Sequence, residues 1–504
     1  MKLSLNKTKI SWQRFFAAAM LFMLLFFMLR ILAPLRWQDL YNTYGLCAIA
    51  ALAGLYFAKR GFGGPAEIKI FTLFALWLLL SRWLNGDVYL FIDFELVMFT
   101  LLAVLLFAAG SLLDKKERSL LLDALSLIYV GFNLVTALAG IFVFLTNTYI
   151  HIPPENVWIS ILNEGGLNSL NALSTHRLLA VVRFFISACL VVYQIIKRKN
   201  ILVRIILVLC YLALHLAIAL CHGRTAQIAM SGGFAMLMLL VFMPRLEKKA
   251  AAVRLGCLAA VALLSLLLCY KSFDACDILV SKLQSVGFPA FEEYYNSLEA
   301  KPNEEYFGIK LTDEELAALN SEAQEQTNKA NEEAAAEPEA TPAPKVQASV
   351  VDKRSVLGNW TFTGRTEIWE SCFILIREDP SILLRGRSGN NMMDDVNRIL
   401  QTQVNPNVKE YKNHMHNSFM QVLMLCGLPG LLLMLAWTVL MVKNMFKVFF
   451  SKSHSLEVKF LTVPIASFFV ISLAEIYLFA SLDSVSMAFY LIAGVFLAEA
   501  KGEI

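Results

Sequence analysis

An α-helix needs about twenty consecutive apolar residues to cross the hydrocarbon core of a bilayer, and runs of that length recur along the whole sequence. We read about twelve, at approximately 12–33, 40–58, 69–86, 90–110, 119–146, 178–196, 201–221, 225–243, 251–270, 417–441, 458–478 and 484–498. In lipid every backbone N–H and C=O must be satisfied internally, so such runs predict helices rather than open strands. Composition agrees. With 58% apolar and 17% charged residues and a mean hydropathy of +0.59, a water-soluble globule of this length is excluded. The expected fold is an all-α polytopic membrane protein held together by helix packing in lipid.

Orientation follows from where lysine and arginine collect, because positive charge near helix ends stays on the cytoplasmic side. The basic clusters at 7–14, 59–69, 115–118, 197–199, 245–249 and 443–459 all fall on one side of a twelve-span layout. Both termini are then cytoplasmic, and the first span, long and followed by no small-residue cleavage site, is expected to stay in place rather than act as a signal peptide. The net charge of +4 reflects this bias and implies no nucleic-acid partner. The chain divides into spans one to nine (1–270), a large outer loop (271–416) and spans ten to twelve (417–504).

That loop is too long to be a plain connector. Its middle, 311–346, opens with a capping-box pattern at Thr312 and Glu315 and then becomes rich in Pro, Ala and Glu, as a solvated insertion would. Ordered pattern returns at 358–378, where Ile368, Cys372 and Ile376 recur at helical spacing beside Trp369 and Phe373, up to Pro380. Most of the nine cysteines lie in apolar helices, while Cys276 and Cys372 fall inside the loop, where a disulfide between them is one option.

Ionisable groups within a membrane are costly and mark sites or pathways. Arg183 and His215 fall toward the outer ends of spans six and seven. Asp93 and Glu95 open span four, Arg224 lies in the turn between spans seven and eight, and Glu475 is near the outer end of span eleven. A polar cavity open to the outer leaflet would solvate this set; snorkelling to the interface is the alternative. The tripeptide GRT occurs twice, in HGRTAQ at 222–227 and TGRTEIW at 363–369, each at an expected helix start. Free N–H groups, the dipole and a bidentate arginine there suit an oxyanion such as phosphate.

Three pieces in order resemble the O-antigen ligase/polymerase superfamily. They are His222-Gly223-Arg224-Thr225 before a helix, Gly364-Arg365-Thr366-Glu367-Ile368-Trp369 in the outer loop, and His416-Asn417-Ser418-Phe419-Met420-Gln421 leading to Gly427-Leu428-Pro429-Gly430. The resemblance covers roughly 205–441, and the twelve-span layout with its late large loop extends it. It implies a GT-C-like glycosyltransferase of the bacterial inner membrane. Such an enzyme takes a glycan from a polyprenyl-diphosphate carrier at the outer face and passes it to a lipid, glycan or protein acceptor, with no cofactor. Arg385-Gly386-Arg387-Ser388-Gly389 stands where a glycine-rich step is common in the family, and the acidic insertion also departs from it, which leaves the acceptor open.

The chemistry assigns roles. Displacing a diphosphate from an anomeric carbon needs a proton acceptor for the attacking hydroxyl and cations for the leaving group. An imidazole, whose ordinary pKa is near 6.5, suits the first task; arginine suits the second. His416 is the expected base and Arg224 with Arg365 the expected diphosphate clamp. Arg183, Arg385 and Arg387 are further candidates, and Asn417 and Trp369 line the substrate. His414 and His416 form an HxH pair, but the sequence shows no neighbouring cysteine or carboxylate to complete a metal site, so none is expected. Asp93 and Glu95 resemble the acidic pairs of metal-dependent enzymes using polyprenyl-monophosphate sugars, and also fit solvation at a helix lip. Trp360 and Trp369 suit sugar stacking or interfacial anchoring. Asp394 and Asp395 read as a solvated surface pair. A lipid-linked glycan flippase remains the non-enzymatic alternative; it would place charge at the membrane midplane and show repeated halves.

Overall fold

A computed structural model of the chain describes residues 11–30, 35–61, 63–85, 92–146, 150–152, 157–164, 167–172, 177–286, 365–387, 389–406, 414–476, 478 and 484–502. The insertion at 311–346, Trp360 and Gly364 lie outside these residues, and so do the side chains of Asp93 and Glu95.

The described residues form nine successive long helices before the large loop: α1 (Trp12–Arg30), α2 (Leu35–Arg60), α3 (Ala66–Leu84), α4 (Ile92–Ala109), α5 (Lys115–Thr146), α6 (Arg177–Lys197), α7 (Ile201–Leu220), α8 (Arg224–Phe242) and α9 (Ala251–Val286). Within 365–404 come α10 (Arg365–Glu378), the single turn α11 (Ile382–Arg385) and α12 (Gly389–Ile399), which runs into a π-helical turn over Leu400–Val404. The last elements are α13 (Ser418–Phe450), α14 (Leu456–Phe460), α15 (Thr462–Ser472) and α16 (Ser484–Lys501). Eight of the described helices are long and apolar enough to cross a membrane, which makes the chain a multi-pass membrane protein.

Burial sorts these helices into centre and rim. The α16 span is 89% buried, whereas the Ala251–Val280 part of α9 is 11% buried and presents apolar side chains outward, as a lipid-facing helix would. Around α16 the packing is tight because small residues let backbones approach: a Cβ on Gly110 would strike the Gly494 backbone, and one on Gly494 the Phe107 backbone. Phe71 stacks on Trp437 and on Tyr490, with ring centroids 5.1 and 5.0 Å apart, and thereby joins α3, α13 and α16.

Four features differ from the sequence-based expectation. Residues 150–172 carry a small antiparallel sheet, β1 (Ile150–Ile152), β2 (Val157–Glu164) and β3 (Leu167–Ala172), in the order β1-β2-β3. Ile161 pairs with Leu170, and Leu170 packs on α5 where Gly140 leaves room for it. Helix α9 runs on past 270 to Val286, so Cys276 lies on it rather than in the loop. No disulfide joins Cys276 to Cys372. The eleventh apolar run breaks into α14 and α15, which leaves Glu475 in the turn beyond a helix end.

Helix α13 is interrupted at Gly427, whose φ of 66° and ψ of −171° are non-helical. The break has a clear cause. Pro429 has no N–H to offer the carbonyl of Leu425 four residues earlier, and Gly427 alone tolerates the left-handed φ. The freed carbonyls are captured from outside: Met424 O by the Arg387 N–H at 2.8 Å, Leu425 O by Ser81 Oγ at 3.1 Å and by the Arg82 guanidinium, and Cys426 O by Trp77 Nε1 at 2.7 Å. The C-terminal end of α3 and the segment after α11 thus form a collar around the break.

Candidate active site

The start of α13 is built by its own sequence. Asn417 is the N-cap, its side-chain oxygen accepting from the N–H groups of Phe419 at 2.9 Å and Met420 at 3.0 Å. Its Nδ2 donates to Leu473 O at 2.9 Å. Ser418 Oγ donates to Glu475 O at 2.8 Å and accepts from Leu478 N at 3.3 Å. The turn after α15 is therefore stitched to the head of α13, which fixes the Glu475 backbone.

The side chain of Glu475 is buried, 4% exposed. A carboxylate in such a place needs a charged partner. Arg365 Nη2 donates to its Oε1 at 2.7 Å, and His416 Nδ1 stands 3.5 Å from its Oε2. Arg365 is the first residue of α10, and one turn later Trp369 Nε1 donates to Met415 O at 2.8 Å. Met415 N in turn donates to Gln421 Oε1 at 3.1 Å. Helix α10 is so held against residues 414–416, and the arginine and the histidine meet over one carboxylate. Cys372, buried in the same contact beside Met415, has its thiol pushed up to about 12 by that burial, which makes it a poor nucleophile.

His416 has a φ of 48° and His222 a φ of 49°; they are the non-glycine residues with positive φ among the described residues. A left-handed backbone costs an L-residue roughly 1–2 kcal/mol, and such strain gathers at functional sites. His416 precedes the Asn417 cap, and His222 precedes Gly223 and Arg224. Arg224 is exposed at the start of α8. Helix α8 runs antiparallel to α15: Ser467 Oγ donates to Ala229 O at 3.1 Å, and Gly233 faces Val463. That register puts Arg224 level with Ser472, at the same end of the bundle as Glu475. Arg183 is buried on α6, two residues after Val181, the residue that packs on Gly223.

The other two arginines are engaged elsewhere. Arg387 pairs with Asp395 at 2.5 Å and with Asp379 at 3.3 Å. The Asp379 carboxyl is held below its usual range, chiefly by the Ser381 hydroxyl, with Arg387 and Arg385 adding to the effect. Asp395 is thus an ion-pair partner, not a plain surface acid, and Asp394 is exposed. Arg385 reaches Leu84 O at 3.4 Å and belongs to the collar rather than to the Glu475 group. Trp369 presents its other face, beside Phe373 and Arg377, to a groove along α10.

The expectation that no carboxylate stands near the HxH pair is corrected by Glu475. The ligand atoms of His414, His416 and Glu475 all lie within 4.8 Å of one another. Sequence reading noted Glu475 as an acid in an apolar run but gave it no partner. The signal for the collar is the polarity of Trp77, Ser81 and Arg82 near the C-terminal end of an otherwise apolar α3.

Comparison with curated proteins and with solved structures finds no match. Residues 208–435 match a protein family described as O-antigen ligase. That segment contains Arg224, Arg365 and His416 and runs through the break in α13, so this part of the chain is similar to the O-antigen ligase family.

Proposed function

We propose that this protein transfers a glycan from a polyprenyl-diphosphate carrier to an acceptor hydroxyl at the end of the bundle that holds Glu475. The observation that supports it most is one buried carboxylate shared by Arg365 and His416, two groups whose tasks in such a transfer are complementary. With Nδ1–H turned toward Glu475, the Nε2 lone pair of His416 takes the proton of the attacking hydroxyl. The acceptor oxygen bonds to the anomeric carbon as the bond from that carbon to the phosphate oxygen breaks. The departing diphosphate carries the negative charge, drawn by Arg224 and by the donors of Arg365 not used on Glu475. Asn417 and Ser418 hold the frame, and Glu475 orients both groups. A flippase would want its charges at the midplane, whereas these gather at one end of the bundle.

Donor binding and transfer, measured side by side on the same purified variants, test the assignment. Arg224→Ala or Arg365→Ala removes charge-assisted bonds worth roughly 1.5–3 kcal/mol each, so donor binding weakens and turnover falls too, since leaving-group charge grows in the transition state. Lysine rescues only in part, lacking the planar fork. His416→Ala keeps donor binding while transfer drops about 10²- to 10⁴-fold. Near wild-type transfer by His416→Ala, or loss of donor binding as complete as in Arg224→Ala, overturns the base role. Transfer persists in EDTA; full loss restored by Mg²⁺ would shift the chemistry to a metal-dependent mechanism.

A further inference from the structure

We infer that His414, His416 and Glu475 form a binding site for a divalent transition-metal ion such as Zn²⁺, and that the bound ion inhibits the transfer proposed above. The inference rests on that reading for its functional consequence, though not for the site itself. Two imidazoles and a carboxylate are a donor set that zinc accepts, with water in the fourth position. Their ligand atoms lie within 4.8 Å of one another, and the two rings are 4.0 Å apart at their centroids.

The spacing of the inner pair is the stronger argument. Zinc–nitrogen and zinc–oxygen bonds near 2.0–2.2 Å at a tetrahedral angle separate two ligand atoms by about 3.4 Å. His416 Nδ1 and Glu475 Oε2 stand 3.5 Å apart. That distance is long for a hydrogen bond and right for two atoms sharing an ion. Moreover, among the described residues His416 Nδ1 is a buried ring nitrogen with no hydrogen-bond partner, an arrangement that costs free energy unless something fills it.

The surroundings also suit an ion. Arg365 holds Glu475 through Oε1, which leaves Oε2 as a monodentate ligand already oriented by an outer partner. His414 Nδ1 accepts a long 3.3 Å bond from the His416 N–H, which keeps its ring beside that of His416. The inhibition follows from the ring chemistry. A metal on Nδ1 of His416 leaves the ring's proton on Nε2, and the lone pair that would take the acceptor's proton is gone.

The test uses the full-length protein in detergent, stripped with EDTA and dialysed against ZnCl₂, with bound zinc measured by elemental analysis and geometry by Co²⁺ absorption. The expected result is a single zinc per chain in a tetrahedral Co²⁺-competent site, with affinity lowered roughly tenfold or more in His414→Ala and in Glu475→Gln. Zinc inhibits transfer by the wild type, reversibly with EDTA, and not by His414→Ala, whose zinc-free transfer stays close to wild type. Absence of bound zinc in the wild type, or equal binding and inhibition in His414→Ala, overturns the site. Zinc bound through His414 and Glu475 in a chain that transfers no glycan supports the site and overturns only the transferase reading.

Discussion

Glu475 decides how His416 and Arg365 sit, because it is the buried charge that both answer. Glu475→Gln keeps the shape and removes the charge, so the imidazole loses its orienting partner and the guanidinium its anchor. Displacing reacting groups by as little as 1 Å can cost about 10²-fold in rate, and we expect a fall in turnover of that order with a smaller change in donor affinity. Glu475→Asp restores part of it. In a double-mutant cycle, Glu475→Gln adds little to His416→Ala, since the carboxylate acts through the imidazole; full additivity in the transfer assay would show that the two are not coupled. The motif residues Arg365 and His416 were legible in the sequence because each stands in a short pattern with chemical meaning. Their meeting over Glu475 was not, because the contact joins positions 110 residues apart in the chain and no local periodicity encodes it.

At the scale of elements, apolar runs and basic flanks marked the helices well, since length and hydropathy are local properties. What failed was local in a different way. The alternation in Val157-Trp158-Ile159-Ser160-Ile161 and the Gly165-Gly166 pair that follows carry a hairpin pattern, but a short period-two stretch is easily lost beside long apolar helices. The break in α13 is visible only in the structure, although the sequence carries Gly427-Leu428-Pro429. Its repair depends on the collar of Trp77, Ser81, Arg82 and Arg387 from distant segments. Two glycines lock that collar. Gly386, at φ 69°, leaves no room for a Cβ against the Leu425 backbone, and a Cβ on Gly427 would come within 2.8 Å of Leu383 O and Leu384 O. Gly427→Ala and Gly386→Ala are each expected to destabilise the protein by at least about 2 kcal/mol from strain and collision together. Gly131→Ala, where a Cβ meets nothing within 4 Å, is the neutral comparison. Thermal unfolding in detergent checks it: equal melting temperatures for the three variants would remove the collar's structural role.

Across the whole molecule, charge separates to the two ends of the bundle. At one end Lys501 reaches Glu67 at 2.9 Å, Arg118 reaches Glu499 at 2.7 Å and Lys197 reaches Asp123 at 2.6 Å; these basic residues belong to the clusters, or to the C-terminus, that the positive-inside rule assigns to the cytoplasm. At the other end stand Arg224, Arg365, His416 and Glu475. Helix direction ties the two observations together, because α3 and α5 begin, and α6, α13 and α16 finish, at the ionic end, while α8, α10 and α13 begin at the end holding Glu475. The orientation therefore predicts where the acidic insertion at 311–346 must lie. Protease added outside right-side-out proteoliposomes is expected to cut within it. Deleting it is expected to leave transfer largely intact, since no proposed site residue falls there. Cleavage only from the inside would invert the bundle, put His416 and both clamp arginines on the cytoplasmic face, and remove the case for transfer at the outer surface.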